Sequence, residues 1–398
     1  MPRCDVLIVG AGLAGLWTAR RLASAGLDVV LVDSRSRVDG QIRTSGIFVR
    51  RTLEDFPLPE DCFGPAVRRV VLYSPGRRTL DLESPYPEFR VARMGLLYRR
   101  LLEEAREAGV RWRPRTHCSG LGSDARGMVA RLSGPGAGAG ALRPRYVIGA
   151  DGARSRVASW LGLEQNQAWI AGVEEVYTGI PLEGPPVFHC LLSTELAPGY
   201  LAWMVHDGEE VHLGVGGYPD RFDPARALAA LREAPPVPVD WSRAKLVDRR
   251  GGLIPVGGVL SRIASPQGLL IGDAAGAVSP LTAGGLDPCL RLSDLAARVT
   301  TDFLECGDPG TLACYDGRVF RRRFAARLVL RGLLSRMRHP GLLELACAAL
   351  RVPPLDRVAR AVFFGRGSFP DVPRWPAGRQ MRRNTRAPVA MIPPIPVA

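Results

Sequence analysis

The chain has 398 residues, of which 46 % are hydrophobic and 23 % charged, as in a globular protein of two or three domains. No apolar run reaches the roughly 18 residues that cross a bilayer. The eight cysteines form no C-x-x-C pair, which argues against a zinc knuckle or a disulfide framework. The net charge of +14 comes almost wholly from arginine, since Lys245 is the only lysine, and it favours anionic partners. No nucleic-acid-reading motif is present, so we expect no nucleic acid partner. Because no apolar run is long enough to span a bilayer and the first strand does not resemble a secretion signal, we expect a cytoplasmic protein.

The first 33 residues follow the pattern of a strand, a helix and a second strand. Residues 6–9 form a short apolar run that predicts a buried strand, and residues 13–25 carry apolar side chains at helical spacing before Gly26. A second apolar run ends at Asp33. This order predicts a βαβ unit, the usual beginning of a parallel sheet.

A glycine turn with the spacing G-x-G-x-x-G lies between the first strand and the helix. Gly10 permits the tight turn, Gly12 lets backbone N–H groups approach a pyrophosphate, and Gly15 lets the helix pack closely on the strand. The phosphates would lie at the positive end of the helix dipole, and Asp33 would hold a ribose hydroxyl. We therefore predict a dinucleotide site rather than a glycine turn without a ligand.

The next 80 residues, approximately, read as loops, a hairpin and a helix. Residues 34–61 are loop-like and arginine-rich, and they either turn back over a cofactor or form a solvated basic loop. Residues 67–73 and 77–82 predict a hairpin around a Ser-Pro-Gly turn. Residues 94–105 have apolar side chains at helical spacing, and residues 110–113 predict the following strand.

The middle of the chain is rich in predicted strands. Residues 127–132 and 142–148 predict two strands around a glycine-rich hairpin loop, and the second runs into a turn at Asp151. Short alternating runs between residues 168 and 215 predict an antiparallel sheet that forms a second domain. Residues 224–233 predict a short helix.

The chain then returns toward the first domain. Residues 244–253 predict the returning strand, and residues 268–271 predict a short buried strand that leads to Asp273. The small residues that follow would let a flat ligand touch the backbone. Asp287 and Pro288 predict the N-cap and first residue of a long helix, whose N-terminus favours negative charge.

The last third of the chain reads as helical and rich in arginine. Residues 311–364 interleave arginines with apolar side chains, which predicts helices whose basic face is either solvated or in contact with an acidic membrane. Residues 366–398, rich in proline and arginine, predict an irregular tail. The five histidines show no metal-ligand spacing, although His206 and His212 could face each other across a hairpin, so we predict no metal site.

Three separated motifs resemble those of the FAD-containing enzymes of the para-hydroxybenzoate hydroxylase fold. They are GAGLAG with Asp33, GADG at 149–152 and IGDAAG at 271–276. Within that superfamily, PGYLAWMVHDGEEVHLGVGG and GDAAGAVSPLTAGGL resemble stretches of the geranylgeranyl reductase family. The resemblance implies an α/β fold in which a Rossmann-like FAD-binding domain is interleaved with an antiparallel β-sheet substrate domain and followed by C-terminal helices. The expected bounds are 1–165 for the FAD-binding domain with a β insertion near 50–90, 166–243 for the substrate domain, 244–305 for the return to the FAD-binding domain, 306–365 for the helical region and 366–398 for the tail.

The same resemblance implies a set of site residues. Tyr200 and Trp203 would line the substrate cavity, with plain sheet core as the alternative. Arg93 would lie at the pyrophosphate, and Asp273 at the ribityl chain or the pyrophosphate. The expected cofactor-binding residues are Gly10, Ala11, Gly12, Leu13, Ala14, Gly15, Asp33, Ser34, Arg35, Arg93, Asp151, Gly272, Asp273, Gly284, Gly285 and Leu286. The family often carries a cysteine in the loop after the first βαβ unit, where this chain reads VDGQIRTSG.

The implied activity is that of an FAD-dependent oxidoreductase in which the flavin carries the chemistry and no protein group is identified as catalytic. The interpretation we favour is hydride transfer from reduced flavin to a carbon–carbon double bond of an isoprenoid or prenyl lipid. The electron donor would be NAD(P)H or another reductant that binds transiently. The alternatives are a monooxygenase that uses NAD(P)H and O2, and a membrane-associated FAD-binding protein whose flavin is structural. The expected substrate is an apolar lipid or small molecule, with or without a phosphate, and a peripheral membrane contact is a further expectation.

Overall fold

The computed structural model describes residues 1–135, 140–181, 183–353 and 355–365. The tail expected at 366–398 and the central part of the glycine-rich hairpin loop, 136–139, lie outside these residues. The strands are β1 (Arg3–Val9), β2 (Val29–Val32), β3 (Ile47–Val49), β4 (Phe63–Val67), β5 (Arg69–Tyr73), β6 (Thr79–Glu83), β7 (Phe89–Ala92), β8 (Arg111–Arg113), β9 (His117–Asp124), β10 (Gly127–Ser133), β11 (Gly140–Gly149), β12 (Trp169–Thr178), β13 (Val187–Leu191), β14 (Ala202–His206), β15 (Val211–Gly217), β16 (Lys245–Pro255), β17 (Ala264–Ser265) and β18 (Gly268–Leu270). The helices are α1 (Leu13–Ser24), α2 (Arg50–Asp55), α3 (Met94–Glu107), α4 (Arg156–Trp160), α5 (Pro224–Glu233), α6 (Leu286–Cys306), α7 (Gly317–Arg322), α8 (Ala325–Arg336), α9 (Pro340–Ala349) and α10 (Asp356–Phe364).

The first sheet has the strand order β17-β18-β11-β1-β2-β8. Strands β18, β11, β1, β2 and β8 run parallel, and the β9–β10 hairpin extends antiparallel from β11. All four residues of β2 are buried, because helices cover both faces of a parallel sheet of this kind. The predicted βαβ unit is confirmed, and with it the α/β class.

A second sheet has the order β16-β12-β15-β14-β13-β5-β6. Its neighbouring strands are antiparallel except β5 and β13, which are parallel. The predicted hairpin at 67–82 is therefore present as β5 and β6. It belongs to this sheet, although its residues lie within the sequence expected for the first domain.

One expected boundary is corrected. Residues 244–305 were expected to return to the FAD-binding domain, but β16 pairs with β12 over ten registered residues and forms the edge of the second sheet. The return to the first sheet therefore begins after Pro255. The reason is that strand pairing depends on a distant partner, which residue periodicity does not specify.

The helix α6 begins differently from the prediction. Its N-cap is Gly285, and Asp287 lies inside the first turn. The Asp287 carboxylate is buried and accepts hydrogen bonds from Thr52 Oγ1 at 2.8 Å and from Arg291 Nε at 2.9 Å. Asp287 therefore ties α6 to α2 instead of capping it.

The remaining elements are a small third sheet and the C-terminal helices. A three-stranded sheet of order β3-β7-β4 lies beside the second sheet, and α7 to α10 follow as the expected helical region. None of the helices in the part of the chain that the structure describes is both long and apolar enough to cross a membrane.

Candidate functional site

A cavity of about 1230 Å³ lies where the two sheets and the C-terminal helices meet. Its wall includes the residues at the carboxyl ends of β1, β2, β11 and β18. In open α/β sheets, ligands bind outside the carboxyl ends of the strands. One face of the second sheet and apolar side chains of α8 to α10 complete the wall.

The glycine turn after β1 forms one end of this cavity. Gly10 has φ +106°, and a Cβ there would lie 2.3 Å from the carbonyl oxygen of Ala150. A Cβ on Gly15 would lie 1.9 Å from the carbonyl oxygen of Gly10, so both glycines are required by close packing. Gly12 lines the cavity, and a Cβ there would meet nothing within 4 Å. It is also the N-cap of α1 and has no side-chain cap, so the cradle fits a pyrophosphate approaching the first N–H groups of α1.

Asp33 is held at the end of β2 by four hydrogen bonds. Its Oδ2 accepts from the backbone N–H of Ala11 at 2.7 Å and from Arg35 Nη2 at 2.9 Å, and its Oδ1 accepts from the backbone N–H and Nε of Arg35. Burial alone would raise the pKa of Asp33, but the hydrogen bonds and charge of Arg35 outweigh it and lower the pKa. Asp33 therefore stays ionised and fixed at the cavity wall, where a ribose hydroxyl would replace or share one of these four hydrogen bonds.

The acidic residues of the other two motifs, Asp151 and Asp273, also line the cavity. Asp151 accepts hydrogen bonds from Ser155 Oγ at 2.6 Å and from the backbone N–H of Arg156 at 2.7 Å, so it orders the beginning of α4. Asp273 follows β18, and burial raises its pKa to about 6. It lies beside Gly285, whose Cβ would be 3.7 Å from Asp273 Oδ1. The three motifs that the sequence separates are thus brought together around one cavity.

Most of the expected cofactor-binding residues line this cavity. These are Gly10, Gly12, Leu13, Ala14, Asp33, Ser34, Arg35, Asp151, Gly272, Asp273, Gly284, Gly285 and Leu286. Ala11 and Gly15 lie behind the wall, where Ala11 holds Asp33 and Gly15 packs on Gly10. Part of the basic loop turns back over the cavity, because Gln41, Arg43 and Thr44 line it as well.

The structure corrects the placement of Arg93, which does not line the cavity. Its Nη1 donates to Glu209 Oε1 at 2.8 Å, and its Nη2 donates to the carbonyl oxygen of Asp61 at 2.8 Å. Arg93 is the N-cap of α3, and these two bonds direct its guanidinium toward the β14–β15 turn. In this structure Arg93 therefore joins two surface segments, and its contacts are not with the expected pyrophosphate site.

Tyr200 and Trp203 lie both in the sheet core and in the cavity wall. The Tyr200 hydroxyl donates to the carbonyl oxygen of Thr282 at 2.6 Å, which fixes the loop before Gly284. A Cβ on Gly214 would come within 2.2 Å of the Trp203 ring, and a Cβ on Gly216 within 2.6 Å of the Tyr200 ring. The two aromatic rings therefore occupy the space that side chains at the alternating glycines of β15 would fill.

The arginine-rich helix α8 contributes inward-facing side chains. Arg331 is 4 % exposed and donates hydrogen bonds to the carbonyl oxygens of Pro280, Leu281 and Gly199. Arg327 Nη1 donates to Ser279 Oγ at 2.7 Å and lines the cavity. These two arginines hold the loop that leads into α6, so the predicted basic face is partly internal.

Sequence reasoning missed two parts of the wall. Glu174 and Arg250 lie on the sheet face, and no motif marks them. The apolar end of the cavity comes from α8 to α10, through Leu330, Leu333, Leu334, Met337, Leu343, Ala346, Leu350, Val358, Val362 and Phe363. Helical periodicity showed that these residues are apolar, but it does not say which cavity a helix covers.

The two histidines do not face each other as the hairpin suggested. His206 is registered with Val211, and His212 with Val205. His212 is buried, and its two ring nitrogens lie toward Glu174 and Asp207.

Comparison with known proteins agrees with this geometry. A family model described as an FAD binding domain matches residues 3–291. The digeranylgeranylglycerophospholipid reductase of Methanothrix thermoacetophila is 29 % identical over 335 residues, which cover 79 % of this chain and 83 % of the relative. The digeranylgeranylglycerophospholipid reductase 1 of Methanopyrus kandleri is 30 % identical over 313 residues, with 76 % and 82 % covered. The crystal structure of a geranylgeranyl bacteriochlorophyll reductase-like protein from Thermoplasma acidophilum has a TM-score of 0.80 at 21 % identity, with 92 % of this chain and 98 % of that chain covered.

Proposed function

Since this chain belongs to the geranylgeranyl reductase family of FAD-dependent oxidoreductases, we propose that it reduces carbon–carbon double bonds of an isoprenoid or prenyl-lipid substrate. The names of its relatives describe enzymes that act on a digeranylgeranyl glycerophospholipid. The observation that carries the proposal for this chain is the composition of the cavity beyond the glycine turn.

That part of the cavity is lined mainly by apolar side chains. One wall is the sheet face with Phe188, Leu201 and Trp203, and the opposite wall is the apolar side of α8 to α10. The total volume of about 1230 Å³ exceeds the roughly 300–1,000 Å³ usual for a small-molecule pocket. Room for a dinucleotide and for a hydrocarbon chain in one space supports a prenyl substrate over a small polar one.

The residues of the glycine turn and the aspartates of the three motifs would bind FAD. Gly12 and the N-terminus of α1 would bind the pyrophosphate, Asp33 a ribose hydroxyl, and Asp273 the ribityl chain or pyrophosphate. Gly284, Gly285 and Leu286 would border the flavin ring. When bound and reduced, the flavin supplies hydride to the substrate.

The N-terminus of α6 favours the reduced state of such a cofactor. Gly285 caps a helix of 21 residues without a side-chain hydrogen bond, so the first N–H groups of α6 are available at the cavity. Their dipole stabilises negative charge, which a reduced flavin carries on its ring.

NAD(P)H or another reductant is proposed as a transient electron donor, because no second nucleotide fingerprint is present in the sequence.

We also propose a peripheral contact with an acidic membrane through α8 to α10. Nine large aliphatic side chains of the segment from residue 319 to 358 are exposed, namely Val319, Val329, Leu330, Leu333, Leu342, Leu345, Val352, Leu355 and Val358. Leu330, Leu333 and Val358 also line the cavity, so the apolar surface continues into the cavity wall. Exposed apolar side chains among arginines are typical of a surface that enters a lipid headgroup region.

The function is tested by anaerobic incubation of the FAD-loaded protein with a chemical reductant and prenyl lipids of several chain classes. Mass spectrometry should show a gain of two hydrogens for each reduced bond. Lipid of unchanged mass in every class would contradict the proposal.

The same preparation separates the proposal from its main alternative. Incubation with NAD(P)H and isotope-labelled O2 should leave the products free of the label. Incorporation of one labelled oxygen atom would instead assign a monooxygenase.

A further inference from the structure

Reduction of a double bond adds a proton as well as a hydride, and the proposed function does not name the proton donor. On the sheet face of the cavity, the titratable side chains among the described residues are Glu174, Tyr200 and Arg250. Tyr200 donates its hydroxyl hydrogen to the carbonyl oxygen of Thr282. Arg250 carries a guanidinium, which acts as a hydrogen-bond donor and not as a general acid. Glu174 is therefore the candidate acid on this face.

Glu174 is 3 % exposed and is held by side chains of three other strands. Trp203 Nε1 of β14 donates to Oε2 at 2.8 Å. Arg250 Nη1 of β16 lies 3.3 Å from Oε1, and His212 Nδ1 of β15 lies 3.3 Å from the same oxygen. The indole and the guanidinium stabilise the carboxylate that remains after Glu174 has given up a proton.

His212 connects this carboxylate to a second one. It is 1 % exposed, and its Nε2 lies 3.7 Å from Asp207 Oδ2. Within the part of the chain that the structure describes, neither of these two atoms has a hydrogen-bond partner. The ring therefore stands between two carboxylates, with one nitrogen toward each.

Asp207 lies at the β14–β15 turn and is bonded to its backbone. Its Oδ1 accepts the backbone N–H groups of Glu209 at 2.9 Å and Glu210 at 2.7 Å, which leaves Oδ2 for the imidazole. Glu210 is only partly buried, and His206 lies partly exposed at the end of β14. Asp207 is therefore fixed by the turn, with its second oxygen toward the ring of His212.

The charges around His212 keep it protonated at neutral pH. The ionisable groups near it are Glu174, Asp207, Glu210 and Arg250, with His206 at the end of β14 and Asp248 bound to Arg250. Burial alone would lower the pKa of His212, but the neighbouring carboxylates of Asp207 and Glu174 raise it to about 9. The imidazolium is therefore available as a proton reservoir next to Glu174.

We propose that His212 and Glu174 form a proton relay to the cavity, with Asp207 holding the imidazolium in place and Glu174 handing the proton to the substrate in the reduction proposed above. In that reaction the π bond breaks, and one carbon receives a hydride from a reduced flavin, which brings both electrons. The other carbon forms its C–H bond with a proton that His212 Nδ1 passes to the Glu174 carboxylate and that Glu174 passes on, which leaves His212 neutral with its Nε2–H toward Asp207. After the product leaves, Nδ1 regains a proton from water in the cavity through Glu174.

The chain offers a matched control in the neighbouring residue Glu175. It is 5 % exposed and its carboxylate faces the other side of β12, where it accepts hydrogen bonds from Arg249 and Tyr177. Glu175 does not line the cavity. Replacing it removes an equally buried, equally paired carboxylate of the same strand without touching the relay.

The test compares Glu174→Gln with Glu175→Gln in the FAD-loaded protein. Glu174→Gln should lower the single-turnover rate of lipid reduction by about 100-fold or more, the usual contribution of a positioned acid. Its flavin content, its flavin absorbance and its rate of reduction by dithionite should equal those of the wild type. Glu175→Gln should retain a rate within about threefold, and Glu174→Asp, which keeps the acid, should recover part of the lost rate.

The pH dependence adds a signature that a purely structural role would not produce. The wild-type rate should fall as pH rises past about 9, because His212 then loses its proton, and His212→Gln should lack this fall. The relay is overturned if Glu174→Gln stays within about threefold of the wild type, if both Gln variants lose rate equally, or if Glu174→Asp is no faster than Glu174→Gln.

A second readout separates failure of the relay from failure of the proposed function. If the wild type reduces no prenyl lipid, the function fails and the relay is judged by NMR titration of His212 in the FAD-loaded protein. His212 should remain an imidazolium up to about pH 9 in the wild type and in Glu175→Gln, and it should titrate lower in Glu174→Gln. An ordinary histidine titration in the wild type would overturn the relay.

Discussion

Replacement of Gly12 by alanine should strongly weaken FAD binding while leaving the fold intact. Gly12 has φ −80° and ψ −173°, which alanine adopts without strain, and the new Cβ would meet no protein atom within 4 Å. The methyl group would instead stand in the cavity, where the pyrophosphate is expected to contact the backbone. The substitution therefore tests the ligand site separately from the packing around it.

The expected changes in the free energy of unfolding and in FAD affinity differ in size. Alanine is a poorer N-cap than glycine by about 0.5–1 kcal/mol, but it also lowers the entropy of the unfolded chain by a similar amount. The net change in the free energy of unfolding should thus stay within about 1 kcal/mol. Loss of one or two charge-assisted hydrogen bonds to phosphate should cost about 2–4 kcal/mol of binding, which raises the Kd for FAD roughly 30- to 700-fold.

The assay is titration of the apoprotein with FAD, followed by flavin fluorescence, together with urea unfolding of the apoprotein. Gly122→Ala is the control, because a Cβ on Gly122 of β9 also meets nothing within 4 Å and Gly122 does not line the cavity. It should leave the Kd unchanged. A Gly12→Ala protein that is folded and binds FAD as tightly as the wild type would refute the placement of the pyrophosphate at this turn.

Three further substitutions test other parts of the site. Because burial raises the pKa of Asp273 from 3.8 to about 6, ionisation destabilises the apoprotein as pH rises between these values, by up to about 3 kcal/mol. Asp273→Asn should remove this loss of stability, which urea unfolding of both proteins at pH 4 and pH 7 would measure. An equal change in the free energy of unfolding between the two pH values in both proteins would contradict the prediction. Gly214→Ala should lower the free energy of unfolding by about 1–3 kcal/mol and alter Trp203 fluorescence, because its Cβ would meet the indole; an unchanged emission spectrum would contradict this contact. Leu345→Glu should weaken binding to acidic lipid vesicles about tenfold in a sedimentation assay, whereas Leu246→Glu, exposed on β16, should not; equal weakening by both would argue against α8 to α10 as the membrane contact.

The parts of the structure that local chemistry determines could be predicted from the sequence. The glycine turn and the βαβ unit are specified by backbone conformation and by periodicity within about 30 residues. The helix α5 was also predicted with its observed bounds, Pro224–Glu233, because Asp223 and a proline mark its start.

The parts that depend on distant partners could not be predicted in the same way. The strand β16 looked like a return to the first domain, yet its partner β12 lies about 75 residues earlier. Arg93 was assigned by analogy to the pyrophosphate, but Glu209, 116 residues away, binds its guanidinium. The buried group of Glu174, Asp207 and His212 has no sequence signature, because its members meet only when β12, β14 and β15 are aligned.

The β5–β6 hairpin has a consequence for any attempt to divide this protein. The hairpin is encoded between two segments of the nucleotide-binding layer, yet β5 completes the other sheet by pairing with β13, more than 100 residues later. Neither layer corresponds to a contiguous gene fragment, so we expect that truncation at any point between residues 90 and 165 would yield insoluble halves. The first sheet, with its glycine turn, and the second sheet should therefore fold together. Their unfolding should be observed as a single transition.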